Sequence, residues 1–553
     1  MPEALHPAAP LLAGALVVSV LPRRVGGAVA LAAAATAVAL VARLPVGAEA
    51  RVTALGLELV WLRSDALARV FALAFALLGA LGALYGLETA GRRLHVAGLA
   101  ATAAALGIVL AGDWVTLYVA WEGLAVASFV LVLDGGARAR APALRYLLVH
   151  AAGGALLLGG IAWHRAAGGD ALVTALPPTG PGALVLVACC VNAAVTPLHA
   201  WLTDAYPESS PTGTVLLSAF ATKAAVYALA RAFAGVEALV WAGVTMALYG
   251  VVFAVLENDI RRLLAYHIVS QVGYMVTGVG LGTPLGVHGA AAHAFAHILY
   301  KGLLLMGAGA VVHATGRRKL TELGGLARAM PATLALYMVG AFAISGAPLL
   351  NGFVSKSLVV AAAEALHRPV VVALLQLAAV GTFLHTGLKL PYFTFGGPDR
   401  GLAPAPLPRS MLVAMALAAA LCALTGTFPA LLYALLPAPP GWEPYTAAHV
   451  LEALELLAGT ALGFALLKAK LGGEPTVTRD ADRLYRAVAR WVLRGPAAGA
   501  ARLADLLEAR AAALVSAPVA ARPSRAPSPV GYALLAAVGG LGLVLLAAAL
   551  GRG

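Results

Sequence analysis

Glu122, Lys223, His293, His297, Lys301 and Lys389 all lie inside apolar stretches of this chain. A charge at the centre of a bilayer costs roughly 2.5–3.5 kcal/mol on insertion scales and more in simulations. Ionisable side chains held at such depth pair with one another or line a hydrated path. One carboxylate, three lysines and two histidines spread over four such stretches therefore point to movement of ions or protons.

Each position carries its own chemistry. Glu122, in DWVTLYVAWEGLAVASFVLV, has no charged neighbour within two helical turns, so its partner must come from another span. Lys223 sits in VLLSAFATKAAVYALAR, too central to reach water easily, and a desolvated amine titrates closer to neutrality than a solvated one. Arg231, eight residues on at the end of that span, is expected to snorkel to the interface. His293, His297 and Lys301 follow one another at intervals of four, drifting only about 40° per step round a helix, so they share one stripe. Imidazole both donates and accepts, and such a stripe can pass protons through intervening waters. Two histidines four apart can also bind zinc, but no third carboxylate or thiol lies nearby, and no metal is expected. Lys389, in VGTFLHTGLKLPYFTF, is flanked by Gly381, Gly387 and Pro391, with His385 one turn before it. That pattern predicts a broken helix, tolerated only beside water or protein. Thr196–Pro197 followed by DAYPESSPTG (204–213) predicts a second interruption, just before the Lys223 span.

The elements that hold these groups are membrane spans. Of 553 residues, 61% are hydrophobic and 11% charged, where a soluble protein carries about 25% charged residues. With about 20 residues per span, the chain accommodates roughly 15–16 apolar stretches, from 8–21 and 25–43 through 213–233, 286–313 and 370–396 to 529–551. The net charge of +13 reflects arginines in connecting loops rather than nucleic-acid binding. The loops after odd-numbered spans hold Arg92, Arg93, Arg138, Arg145, Arg261, Arg262, Arg317 and Arg318, which predicts a cytoplasmic location for them and an outside N-terminus. Segment 51–62 partly alternates and predicts a small extracytoplasmic hairpin. Residues 478–495 carry Leu484, Val488, Trp491 and Val492 on one helical face, an amphipathic helix on the membrane or a partner, and 517–529 reads as a linker. Cys189, Cys190 and Cys422 have no metal-like spacing and read as core residues. The resulting division is 1–112 N-terminal spans, 113–400 core, 401–470 C-terminal core helices, 471–528 cytoplasmic tail and 529–553 final span. The class is an all-α polytopic membrane protein.

The phrases WEGLAVASFVLVL, PLHAWLTDAYPESSPT, SAFATKAAVYALAR, ENDIRRLLAYHIVSQVGYM, HAFAHILYKGLLLMGAGAV and SGAPLLNGFVSK resemble the antiporter-like proton-conducting transporter family. Its members include large membrane subunits of respiratory complex I and of Mrp-type Na⁺/H⁺ antiporters. The resemblance spans about residues 90–400. It implies 14 transmembrane helices built on two inverted five-helix repeats with broken helices, and a hydrophilic central axis. It also implies proton-relay roles for Glu122, Lys223, His293, His297, Lys301 and Lys389, with Lys389 facing the exit half-channel. Many members carry a lysine five residues before the Pro of the PLH-like motif, paired with the WE glutamate; here that position is Asn192. Lys223 or a basic group on a partner subunit is then left to pair with Glu122. His267, where complex I members mostly carry Ser or Thr, points toward an Mrp D-like subunit. Arg231, His267, His385 and Asn192 are expected as accessory positions.

The expected function is proton translocation in a multisubunit Na⁺/H⁺ antiporter of the inner (plasma) membrane. Protons would enter near Glu122 and leave by Lys389. Other membrane subunits and the lipid bilayer are the expected partners, and no cofactor is expected. Two alternatives remain. One is a redox-driven complex I-like or hydrogenase-like pump, as part of an NADH:quinone oxidoreductase-like assembly. The other is a non-conducting scaffold.

Overall fold

A computed structural model describes residues 5–54, 56–438 and 441–472, together with residues 480, 481, 483 and 487. The chain divides into two compact units, Met1–Thr478 and Arg479–Gly553. The expected amphipathic helix, the linker and the last span fall outside the described residues, apart from those few positions. Every candidate relay position lies in the first unit.

Among the described residues, that unit is helical except for one hairpin, and 11 of its helices are long and apolar enough to cross a membrane. Local chemistry sets their ends. Asp65, Asp113, Asp259 and Thr283 cap helices Ala66–Tyr85, Trp114–Leu133, Ile260–Leu281 and Pro284–Thr315 by accepting from backbone N–H groups of the first turn. Gly282, Gly316 and Gly346 close three helices in the left-handed conformation that glycine adopts without strain. Segment 51–62 does form a hairpin, Glu49–Ala54 pairing antiparallel with Leu57–Arg63. The Val60 N–H donates to Asp113 Oδ2 at 2.7 Å, which fastens the hairpin to the start of the Glu122 helix.

Two faces can be told apart by their ion pairs. On one, Arg318 bonds both Glu208 and Asp259 at 2.6 Å, and Arg145 bonds Asp204 at 2.5 Å. These residues surround a charged cavity of about 560 Å³. This is the arginine-rich face that the loop charges identify. On the opposite face, Arg368 pairs with Glu237 at 2.9 Å and Arg231 with Asp65. Arg231 is fixed at this face by a carboxylate 166 residues away in sequence and by the Tyr227 hydroxyl.

The interruption predicted just before the Lys223 span is present: DAYPESSPTG ends the short helix Ala200–Ala205, forms the turn after it and enters helix Pro211–Leu217. The span itself is two helices, Pro211–Leu217 and Ala221–Ala232, parted at Ser218–Phe220. A further pair, Pro331–Ser345 and Asn351–Ala365, is parted by residues 346–350. The predicted break at Lys389 takes the form of a wide π-helical turn, Phe383–Lys389, followed by helix Leu390–Phe395. Pro391 explains it, since its ring cannot fit against the carbonyl of residue 387 in a regular α-helix.

Helices Glu237–Leu256 and Ile260–Leu281 meet along a seam of glycines. A Cβ on Gly273 would lie 2.5 Å from the Gly243 carbonyl oxygen, and one on Gly250 would lie 2.5 Å from the Ser270 nitrogen. Small residues let backbones approach closely where no hydrophobic drive separates helix from lipid. Gly273→Val should therefore overpack the seam by about 1–3 kcal/mol. The expected outcome is a lower thermal midpoint for the purified protein, with Gly273→Ala falling between that variant and the wild type.

Candidate proton-relay site

Helix Pro284–Thr315 runs through the core, and His293, His297 and Lys301 are wholly buried along it. Lys301 Nζ lies 3.3 Å from His267 Nδ1 on helix Ile260–Leu281. His267 in turn meets Thr386 Oγ1 at 3.1 Å and Thr382 Oγ1 at 3.2 Å, and Gln271 joins the same group. Thr386 reaches the His385 ring, which stands edge-on to His267 with centroids 4.6 Å apart. Hydroxyls and neutral imidazoles donate and accept at once, so this run can exchange protons along its length. Four residues beyond His385, Lys389 closes the series.

Toward the other end of the stripe, His293 Nδ1 meets the Ser355 hydroxyl at 3.3 Å, and Tyr300 meets His293 Nε2 at 3.4 Å. His297 lies between His293 and Lys301. Neither of its ring nitrogens has a hydrogen-bond partner among the described residues. Buried polar atoms of this kind are satisfied by water. The Lys223 helix, Ala221–Ala232, packs against helix Pro284–Thr315, which carries His293, His297 and Lys301.

Three buried lysines share one construction. Lys223 Nζ donates to the Ser218 carbonyl at 2.7 Å, inside the break of its own span. Lys356 Nζ donates to the Ile344 carbonyl at 2.9 Å, at the end of the helix that breaks before it. Lys389 Nζ donates to the carbonyls of Val255 and Glu257, where helix Glu237–Leu256 ends. In each case the ammonium meets carbonyls that a helix terminus leaves unpaired and partly negative.

Glu122 stands apart from this run. Its carboxyl packs against Gly154 of helix Arg140–Ala166, where any Cβ would collide with it. Its Oε1 has no hydrogen-bond partner among the described residues. Asn192 ends helix Pro181–Asn192, outside the broken span, with its side chain near the neighbouring Gly153. The Asn192 amide oxygen likewise has no partner among the described residues. Lys356, Thr382, Thr386, Gln271 and Ser355 are absent from the sequence-derived relay, although Lys356 lies within the phrase SGAPLLNGFVSK. No group of three metal-binding side chains occurs among the described residues.

The family model described as NADH:quinone oxidoreductase/Mrp antiporter, TM matches residues 111–382. The uncharacterized protein MJ1309 of Methanocaldococcus jannaschii is 32% identical over 361 residues, covering 61% of this chain and 74% of that protein. The chain belongs to the NADH:quinone oxidoreductase/Mrp antiporter family. It is a multi-pass membrane protein. A probable K⁺/H⁺ antiporter protein of Rhizobium meliloti (strain 1021) is 32% identical over 375 residues, 63% of this chain but only 37% of that protein. A chain in the structure of the Mrp complex from Dietzia sp. DQ12-45-1b superposes with a TM-score of 0.76 and 28% identity, over 97% of this chain and 66% of its own length. The chain thus spans about a third of the Rhizobium protein and 66% of the Dietzia chain.

Thr386→Val keeps the shape of the threonine and removes the hydroxyl beside His267. An unmet buried polar group costs about 1–3 kcal/mol, so the variant should lower the thermal midpoint of the purified protein, while Thr386→Ser should leave it near wild type.

Proposed function

We propose that this chain is a proton-translocating membrane subunit of a multisubunit monovalent cation/proton antiporter. The observation that carries the reading is the buried series Lys301–His267–Thr386–His385, leading toward Lys389. Amines, imidazoles and hydroxyls alternate there in an otherwise apolar interior, which suits Grotthuss-type proton exchange and offers no carboxylate cage for a metal cation. Lys389 sits on the carbonyl of Glu257, a residue that lines the charged cavity of the arginine-rich face. Protons are exchanged with that face at Lys389, the cytoplasmic side if loop arginines set the orientation. Glu122 serves a separate role at the flank of the bundle, where an apolar groove bordered by Arg92 and Arg93 reaches it. The Na⁺ or K⁺ pathway and the remaining subunits belong to the assembly as a whole.

The test is transport in membrane vesicles that contain the assembled complex. Lys389→Ala should abolish cation-dependent proton movement while leaving the amount and composition of the complex unchanged. Undiminished antiport in that variant would remove Lys389 from the path. Subunits co-purified through this chain decide the driving partner: small membrane subunits and a second antiporter-like chain support antiport, whereas iron–sulfur or flavin subunits make it a redox-driven pump.

A further inference from the structure

Lys389 accounts for one side of the membrane only. Helix Glu237–Leu256 measures the distance to the other. Its 20 residues span about 30 Å, the thickness of the hydrocarbon core. Lys389 is bound at its C-terminal end, and Arg368 pairs with Glu237 at its N-terminal end. Arg368 follows closely on helix Asn351–Ala365, so that helix ends at the face opposite the arginine-rich one.

Lys356 lies on this helix, and the relay as read from the sequence does not use it. The neighbouring Ser355 hydroxyl meets His293 Nδ1. The ammonium itself stands over the Tyr274 ring, 5.1 Å from its centroid, and Tyr274 packs against His293 with centroids 5.8 Å apart. Lys356 therefore adjoins the inner stripe at its first histidine. It also lines a cavity of about 90 Å³ with Glu364, Gln376, His449 and Glu452. That volume holds several waters. Gln376 donates to Glu452 at 2.8 Å, and His449 stacks on Trp442 at the start of helix Ala447–Leu467. Glu364 and Glu452 are exposed, so the cavity runs from a buried lysine to surface carboxylates.

The geometry points to this cavity as the proton aperture on the face opposite the arginine-rich loops, with Lys356 as the first buried acceptor. The inference rests on the proton-translocating reading above and locates its second opening, away from Glu122. A hydronium in the cavity gives its proton to the neutral Lys356 amine and leaves water behind. The ammonium then releases a proton inward, and the neutral imidazole of His293, the first of the stripe, accepts it. The amine returns to its neutral form, and no other reactant is consumed.

Ala361 lines the same cavity and has no assigned role. The assembled complex carrying Ala361→Cys, in vesicles of known orientation, is treated with a membrane-impermeant cationic thiosulfonate. The wild type serves as control for its own cysteines, Cys189 and Cys422 buried and Cys190 partly so. The expected result is labelling only from the face opposite the arginine-rich loops, with proton flux falling at least tenfold after labelling. Lys356→Met should lower flux to a similar extent while the complex still assembles. Failure to label from that face, or labelling with flux intact, overturns the aperture. A wild-type complex that moves no protons before any label is added overturns the functional reading instead.

Discussion

A lysine ammonium hydrogen-bonded to the open end of a helix is the interaction on which the rest of this structure depends. A helix that stops inside a bilayer leaves carbonyls with no water to satisfy them. An amine at the same depth has lost its own water. Placed together, as in Lys223 with Ser218, Lys356 with Ile344 and Lys389 with Val255 and Glu257, each meets the other's need. The helix breaks and the buried lysines are therefore one feature rather than two. A lysine that gives up a proton still has two N–H groups to donate, so the hydrogen bond survives while the charge moves on. That suits a group which must stay in place and yet be protonated and deprotonated repeatedly.

Between the lysines the connecting parts are polar but uncharged. Thr382, Thr386 and Gln271 surround His267, and Ser355 touches His293. Hydroxyls at these positions add hydrogen-bonding capacity without adding a charge that would have to be desolvated. The helix Pro284–Thr315 can thus remain buried along nearly its whole length while carrying His293, His297 and Lys301. Glu122 obeys a different constraint. The absence of a Cβ at Gly154 makes room for its carboxyl, and the helix that bears the glycine stands between it and Asn192.

Much of this is legible in the chain because its signals are local. Ionisable residues in apolar runs mark themselves, and spacing by four places His293, His297 and Lys301 on one stripe whatever surrounds them. Pro391 and its glycines announce the wide turn at Lys389. The break at Ser218–Phe220 is hidden because Ser-Ala-Phe carries neither proline nor glycine; what marks it is a lysine folding back on a carbonyl. Lys356 is obscured by the short apolar piece around it, 354–366, which read from the sequence is either half of a broken span or a continuation of its neighbour. Thr382 and Thr386 look like ordinary helix residues until His267 is placed beside them. Arg231 reads as an interfacial arginine because Asp65 is so distant in sequence.

The proposed relay needs water to carry protons past His297, whose ring nitrogens meet no protein partner among the described residues. The most direct measurement is an experimental density map of the assembled complex, sharp enough to show individual waters within the membrane interior. The account predicts water density bridging His297 to Lys223 and to Lys301. Tight apolar packing around His297, with no water there while waters are visible elsewhere at the same depth, would contradict it.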